Sequence, residues 1–181
     1  MTAHAPLPDA EEVRDNATFA AILAALSRPG TLHRLSAPGP ASIVAALLDR
    51  ECRAFADTPE VEDMLRRAGA TLVPSELADH VFLSLDTPAA LDRLSRVTTG
   101  DALYPDEGAT VVVPVRLGDG PDLRLTGPGI ETEVRLRVGG LHPRLWPIRE
   151  AICRYPYGIE MILLDGDRIA AIPRSSNVEL P

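Results

Sequence analysis

A chain of 181 residues, of which 45% are hydrophobic and 24% charged, can bury a sizeable core, and its length favours one domain over residues 1–181. Its formal net charge of -8 argues against nucleic acid or an anionic membrane surface as the main partner, because such binding depends on clustered positive charge. The acidic N-terminus has no signal-peptide pattern and no stretch is apolar enough for a membrane span, so we expect a cytoplasmic protein with a flexible segment at residues 1–14.

The first half of the chain alternates between helical and strand patterns. Apolar residues at helical spacing predict a first helix over residues 18–27, which the following Pro29 and Gly30 end. Further patterns predict strands at 31–35, 52–57 and 80–85, and helices at 42–49, 59–69 and 87–97. This order is typical of a layered α/β protein.

The second half is richer in strands. The β-branched run 109–117 predicts a strand, and its Pro114 indicates an edge or a bulge because proline donates no ladder hydrogen bond. The turn residues 118–122 predict a hairpin that brings the chain back along this strand. A helix is expected over 143–153, and a second hairpin over 159–174 across an Asp-Gly-Asp turn. Hairpins among helices predict a mixed sheet.

The chain has no lysine, since all 18 of its Lys and Arg residues are arginine. A Schiff base with pyridoxal phosphate and a phosphate-loop lysine are therefore both excluded. The four histidines lack the spacing of metal ligands, Cys52 and Cys153 form no CxxC pair, and no GxGxxG or GxSxG motif occurs. We predict no metal, no cofactor and no catalytic residue, and leave open whether the chain is an enzyme.

A Gly-Pro-Gly corner, Gly127 to Gly129, separates two strand patterns and could either turn the chain or cradle an anion. Near the C-terminus, Arg174, Ser175 and Ser176 combine a guanidinium with two hydroxyls, a set suited to phosphate or carboxylate. These residues are the candidate anion site: Gly127, Gly129, Arg174, Ser175 and Ser176. The alternative is that they are turn glycines and a strand end.

Several segments together resemble one known family. They are LSRPG at 26–30, LLDRE at 47–51, PDEGAT at 105–110, LTGPGI at 125–130, and YPYGIEMILLDGDRIAAIPRSSNV at 155–178. In this order and spacing they resemble PhnH, the H subunit of the bacterial carbon-phosphorus lyase system, over roughly residues 17–179.

The resemblance implies more than the residues show. It implies a three-layer α/β/α sandwich similar to the pyridoxal-phosphate-dependent transferase fold but without the cofactor lysine. Members of the family form homodimers and join the G, I and J subunits. Together with the G, I and L subunits they support transfer of ribose triphosphate from ATP to an alkylphosphonate, whereas cleavage of the carbon-phosphorus bond is work for the iron-sulfur J subunit. No catalytic residue can be carried over from this family.

We therefore expect a non-catalytic or assembly subunit whose glycine corner is a bend near a subunit contact. Such a subunit should expose apolar anchors, and the candidates are Leu141, Leu145, Trp146, Tyr155 and Tyr157, with burial in the protein's own core as the alternative. Two other functions stay open. One is a stand-alone small-molecule or phosphate-ester enzyme with its site at Arg174, Ser175 and Ser176, and the other is a ligand-sensing module with a vestigial cofactor pocket.

Overall fold

The computed structural model describes residues 8–180, and residues 1–7 and 181 lie outside the described part. Its α-helices are α1 (Ala10–Ser27), α2 (Pro40–Leu47), α3 (Pro59–Ala68), α4 (Pro88–Leu94) and α5 (Leu145–Ile152). Its strands are β1 (His33–Arg34), β2 (Arg53–Ala56), β3 (Thr71–Leu72), β4 (His80–Phe82), β5 (Thr110–Pro114), β6 (Arg116–Thr126), β7 (Val134–Gly139), β8 (Glu160–Asp165), β9 (Arg168–Ile172) and β10 (Asn177–Glu179). Short 3-10 turns lie at Ser75–Leu77 and Pro105–Glu107.

The main sheet has seven strands in the order β1-β9-β8-β5-β4-β2-β3. Five of them, from β8 to β3, are parallel to one another. Strand β9 runs antiparallel to β8, and the edge strand β1 runs antiparallel to β9. A second, antiparallel sheet has the order β10-β6-β7. The predicted mixed sheet of an α/β protein is confirmed.

Each face of the main sheet covers its own apolar core. On one face, residues of α1, α2 and α3 such as Ile22, Ile43 and Leu65 pack with the sheet residue Ile162. On the other face, α4, α5 and the small sheet pack together, with Leu123 among their buried residues. The second layer is therefore shared between helices and an antiparallel sheet, because β6 and β7 are too apolar on one side to be left in solvent.

The first helix begins at Ala10, eight residues before the predicted start. Asp9 accepts hydrogen bonds from the backbone N–H groups of Glu11 and Glu12, and Glu12 accepts one from the backbone of Asp9. This capping box satisfies amides that a helix start otherwise leaves unpaired. The prediction of a flexible segment at 1–14 is thus corrected for residues 10–14, which are helical, while residues 1–7 lie outside the described residues.

Two strand predictions of the second half are wrong. The glycine-rich residues 118–122 do not reverse the chain but lie within β6, where the register against β7 shifts between Leu117 and Asp122. Strand β5 is central rather than at an edge, and Pro114 is its last residue. Strand β4 ends at Phe82, which pairs with Val112, so it does not extend as far as Pro114. The proline nitrogen, which cannot donate a hydrogen bond, therefore faces no strand acceptor on the β4 side.

Other turn predictions are confirmed. The Gly-Pro-Gly corner turns β6 into β7, with the amide of Ile130 donating to the carbonyl of Gly127 at 3.1 Å. The Asp-Gly-Asp sequence joins β8 to β9 in an antiparallel hairpin. Strands β3 and β10 were not predicted, since two or three residues are too few to show a period. No helix among residues 8–180 has the length and hydropathy that a bilayer crossing needs.

Candidate functional site

A cavity of about 310 Å³ opens beside the amino end of strand β8. Its walls come from one face of α5, from Cys153 and Tyr155 after that helix, and from residues 174–179. Ligands of parallel α/β sheets usually bind at the carboxyl ends of the strands. This cavity lies at the other end of the sheet, where the parallel strands begin. Three segments that are far apart in sequence meet here: α5, the start of β8 and the chain that joins β9 to β10.

Arg149 forms the buried floor of the cavity. The residue is only 3% exposed, and its guanidinium donates to the carbonyl oxygens of Ser176 at 3.1 Å, Pro173 at 2.6 Å and Ile172 at 3.5 Å. Burial lowers the pKa of Arg149, while the nearby Cys153 and Glu160 act in the opposite direction. An arginine keeps its proton even so, because its ordinary pKa is far above neutrality. The helix thus ties down the β9–β10 connection with a charged group.

Arg174 is held against Glu160 on the neighbouring strand. The Nε of Arg174 lies 2.7 Å from one carboxylate oxygen, and its backbone N–H donates to the other oxygen at 3.2 Å. The two side chains are 21% and 19% exposed, so this ion pair is largely withdrawn from water. Glu160 therefore positions Arg174 at the edge of the cavity.

The buried Arg149 and the partly buried pair of Arg174 and Glu160 together carry one positive charge in excess. The carboxylate of Glu160 pairs with the guanidinium of Arg174 and only influences that of Arg149 from a distance. No carboxylate within residues 8–180 forms an ion pair with Arg149. Of the acidic residues at the rim, Glu179 is paired with Arg124 at 2.9 Å and Glu150 is exposed.

Three of the five residues predicted as an anion site line this cavity, namely Arg174, Ser175 and Ser176. The two glycines do not. Gly127 has a φ of +133°, and a Cβ there would lie 2.7 Å from the carbonyl oxygen of Ser175, so it packs behind the cavity wall. Gly129 has a φ of +81° and packs against the end of α1, where its Cβ would lie 2.4 Å from the oxygen of Ser27. The corner therefore packs against the chain that forms the cavity wall and lies outside the cavity lining.

Comparison with known proteins now identifies the family. The family model described as bacterial phosphonate metabolism protein (PhnH) matches residues 9–179. The chain belongs to the PhnH family. A relative from Stutzerimonas stutzeri, named as a candidate C-P lyase subunit, HtxG, is 35% identical over 174 residues, which cover 92% of this chain and 87% of the relative.

A second relative, from Rhizobium meliloti strain 1021, is named alpha-D-ribose 1-methylphosphonate 5-triphosphate synthase subunit PhnH. It is 27% identical over 187 residues, covering 89% of this chain and 88% of the relative. Both relatives match nearly end to end, and both are named as subunits. Membership of a phosphonate-metabolism system is therefore shown for this PhnH-family chain.

The predicted interface residues have different surroundings in this PhnH-family structure. Leu145 and Trp146 are buried in the core between α5 and the sheets, so the core alternative holds for both of them. Leu141 and Tyr157 are half-buried. Tyr155 is 78% exposed and stands at the rim of the cavity. Of the five, Tyr155 alone offers a large exposed surface to a partner.

Sequence reasoning missed Arg149 and Glu160. The signal for Arg149 was present, because it follows Leu145 by four residues and thus lies on the apolar face of the predicted helix. A charged residue on a buried face needs hydrogen-bond partners, and that requirement singles it out as unusual. Glu160 begins an otherwise apolar strand, β8. The strand pattern does not reveal that its carboxylate contacts Arg174, which follows the neighbouring strand β9.

His80, the first residue of β4, lies at the same end of the main sheet as Glu160, two strands away, and its burial makes the stability depend on pH. Its Nδ1 is buried without a partner within the described chain, and burial lowers its pKa below the usual 6.5, with Asp79 acting in the opposite direction. The unfolded state therefore binds a proton at a higher pH than the folded state, and stability falls as the pH drops below about 6.5.

We expect a slope of up to about 1.4 kcal/mol per pH unit from this single group. Urea unfolding of the wild type and of His80→Gln at a series of pH values between about 5 and 7 measures it. The variant should lose this part of the slope. Parallel profiles for the two proteins would show that His80 does not set the pH dependence.

Proposed function

We propose that this chain is a non-catalytic or assembly subunit of the carbon-phosphorus lyase system, required with the G, I and L subunits for transfer of ribose triphosphate from ATP to an alkylphosphonate. The observation that carries the proposal is the end-to-end match to the PhnH family over residues 9–179. The name of the Rhizobium meliloti relative, a synthase subunit for a ribose methylphosphonate triphosphate, supports the reaction. A cytoplasmic location and a sandwich related to the pyridoxal-phosphate-dependent transferases belong to the same proposal.

The chemistry of the cavity favours a role without catalysis by this chain alone. Cys153 is the strongest nucleophile in its walls, but no histidine lines the cavity within residues 8–180, and a cysteine nucleophile is usually activated by an adjacent base. The guanidinium of Arg174 is held by Glu160, and that of Arg149 by backbone carbonyls. These groups can bind and orient a charged partner but do not supply proton transfer.

The loops around the cavity offer a surface for assembly. Three large exposed side chains lie on two neighbouring loops: Leu103, Tyr104 and Tyr155. The two loops are in contact, since the backbone N–H of Gly158 donates to the carbonyl of Thr99 at 2.8 Å. Aromatic and aliphatic anchors of this kind are enriched in the centres of interfaces. We propose that this surface, which we call the tyrosine edge, contributes to the homodimer or to contacts with the G, I and J subunits.

Co-expression with the G, I, J and L subunits tests the proposal. A tag on this chain should capture the G, I and J subunits in a monodisperse complex, and native mass determination should give its composition. Tyr155→Ser combined with Leu103→Ser should weaken capture by roughly tenfold or more, since truncation of an anchor costs over about 1 kcal/mol.

Leu32→Ser is the matched control, because Leu32 is also an exposed leucine but follows α1. It should leave capture unchanged. Turnover of ATP and methylphosphonate by the isolated chain at enzymatic rates would refute the non-catalytic role. Failure of all partners to co-purify would refute the assembly role.

A further inference from the structure

The first two turns of α1 contribute no residue to the protein's own core. Helix α1 begins at Ala10, but Thr18 is its first buried residue, so residues 10–17 are helical without being packed into the domain. The capping box at Asp9 starts these turns, yet a short helical stretch without tertiary packing is only marginally stable in water. A second surface that packs on α1 would therefore stabilise them.

The outer face of α1 is apolar. Val13, Phe19 and Leu23 expose 49% to 57% of their surface. At 3.6 residues per turn, these three side chains fall within about 120° of the helix circumference, roughly opposite the buried face of α1. An apolar stripe of this width is typical of a helix face that packs against another element. We call these three residues the α1 stripe.

The charges of α1 differ between its two ends. Residues 9–15 carry four carboxylates and one arginine, whereas residues 16–28 carry no carboxylate and one arginine, Arg28. Arg28 is exposed, and none of the ion pairs within residues 8–180 includes it. Two α1 helices side by side in the same direction would place carboxylates against carboxylates. In opposite directions, each acidic end lies beside an acid-free end, and the two helix dipoles also attract.

We propose that the α1 stripe is the contact between two copies of this chain, with the two α1 helices packed antiparallel about a two-fold axis near Ala20. Ala20 lies midway between Glu12 in the acidic end and Arg28 in the other. A two-fold axis gives both copies the same contact. The inference rests on the homodimer of the proposed function and assigns it a surface, which leaves the tyrosine edge to other subunits. One helix per copy makes a small interface, so we expect a Kd in the micromolar range.

Sedimentation equilibrium of the isolated chain over a concentration series tests this contact. Phe19→Ala combined with Leu23→Ala removes two anchors and keeps residues that favour a helix. The pair of changes should weaken dimerisation roughly thirtyfold or more. Leu103→Ser combined with Tyr155→Ser alters the tyrosine edge and should dimerise as the wild type does. A monomeric wild type, or an α1 variant that dimerises as tightly as the wild type, would overturn the proposal.

Val13→Glu keeps the test decisive if the double variant does not fold. Val13 lies in the two turns without a buried residue, and glutamate favours a helix, so the folded domain should keep its stability in urea. Between two helices, however, the new carboxylate would lose water without gaining a partner. Dimerisation should weaken roughly tenfold or more. Unchanged dimerisation of Val13→Glu would contradict a contact through this face.

Arg28→Glu tests the antiparallel arrangement. It adds a carboxylate to the acid-free end, so dimerisation should weaken roughly tenfold at low salt and less at high salt. Arg93→Glu on α4 changes the net charge equally at an exposed arginine outside the contact, and it should leave the Kd nearly unchanged. Equal weakening by both variants would show that net charge alone matters and would overturn the arrangement.

Failure of this inference is distinct from failure of the proposed function. All of these measurements use the isolated chain. The variant with Phe19→Ala and Leu23→Ala should still capture the G, I and J subunits, because the tyrosine edge is intact in it. Loss of co-purification by the wild type would therefore refute the assembly role, whereas loss of a role for α1 in dimerisation would refute only the surface named here.

Discussion

Replacing Gly108 by alanine is expected to lower the free energy of unfolding by about 3 kcal/mol. Gly108 has an ordinary extended conformation, with φ of -68° and ψ of 135°, so alanine meets no backbone strain there. The cost comes from space alone. A Cβ at this position would lie 2.1 Å from the carbonyl oxygen of Gly158 and 3.1 Å from that of Thr99.

These oxygens cannot move aside easily. The carbonyl of Thr99 accepts a hydrogen bond from the backbone N–H of Gly158 at 2.8 Å. Ala109, which follows Gly108, donates its backbone N–H to the carbonyl of Thr98 at 2.9 Å and leads directly into the central strand β5. The substitution should therefore push apart the loops that carry the tyrosine edge. It should also disturb Arg174, whose Nη1 would lie 3.3 Å from the new methyl group.

Gly166→Ala is the matched control for Gly108→Ala. Gly166 lies in the turn between β8 and β9 with φ of +61°, and nothing lies within 4 Å of its missing Cβ. There the cost is strain without a clash, about 1–2 kcal/mol. Urea unfolding should rank Gly108→Ala as the more damaging change. The reverse order, or a loss below about 1 kcal/mol for Gly108→Ala, would show that the loops have room to separate.

The parts of the fold that sequence predicted are those with a local cause. Helix α3 follows from Thr58 as N-cap, Pro59 in the first turn and Gly69 in the left-handed conformation at the end, all readable from residue type. The hairpin of β8 and β9 follows from its Asp-Gly-Asp turn between two apolar runs. In these elements, propensity and tertiary structure agree.

The wrong predictions concern residues whose conformation is determined by pairing with strands that are distant in sequence. Gly118 and Gly120 have the composition of a reversing turn, yet both lie within β6 because β7, which begins at Val134, pairs on both sides of them. Likewise, Pro114 is compatible with a central strand only because β4 ends before reaching it. A short stretch of sequence does not show that β7 pairs on both sides of the two glycines or that β4 stops before Pro114. The residue types alone therefore predicted a reversing turn and an edge strand.

The candidate site contains residues that a local sequence pattern reveals and residues that only the packing of distant segments brings together. Arg174 and Ser176 were found because a guanidinium beside hydroxyls is a recognisable set. Glu160 was missed, although the predicted hairpin already contained it: Met161 pairs with Ile172, so Glu160 falls next to the end of β9, where Arg174 follows. Arg149 depended on how α5 packs against the β9–β10 connection, which no local pattern gives.

Replacing Glu160 by glutamine is expected to lower the free energy of unfolding by about 3 kcal/mol. Glutamine keeps the shape and one accepting oxygen but removes the largely withdrawn negative charge that pairs with Arg174 and lies near Arg149. Removing one partner of a buried pair leaves the other charge uncompensated, and here Arg149 is already without a carboxylate. The loss should therefore exceed the value of one hydrogen bond.

A more exposed ion pair of nearly the same length separates the effect of burial on stability from the effect of the contact itself. Glu62 and Arg66 on α3 lie 2.8 Å apart, close to the 2.7 Å of Glu160 and Arg174, but their side chains are 37% and 55% exposed. Glu62→Gln should cost no more than about 0.5 kcal/mol, because water and salt screen such a pair. Urea unfolding of both variants measures the difference, and equal losses would show that water reaches Glu160.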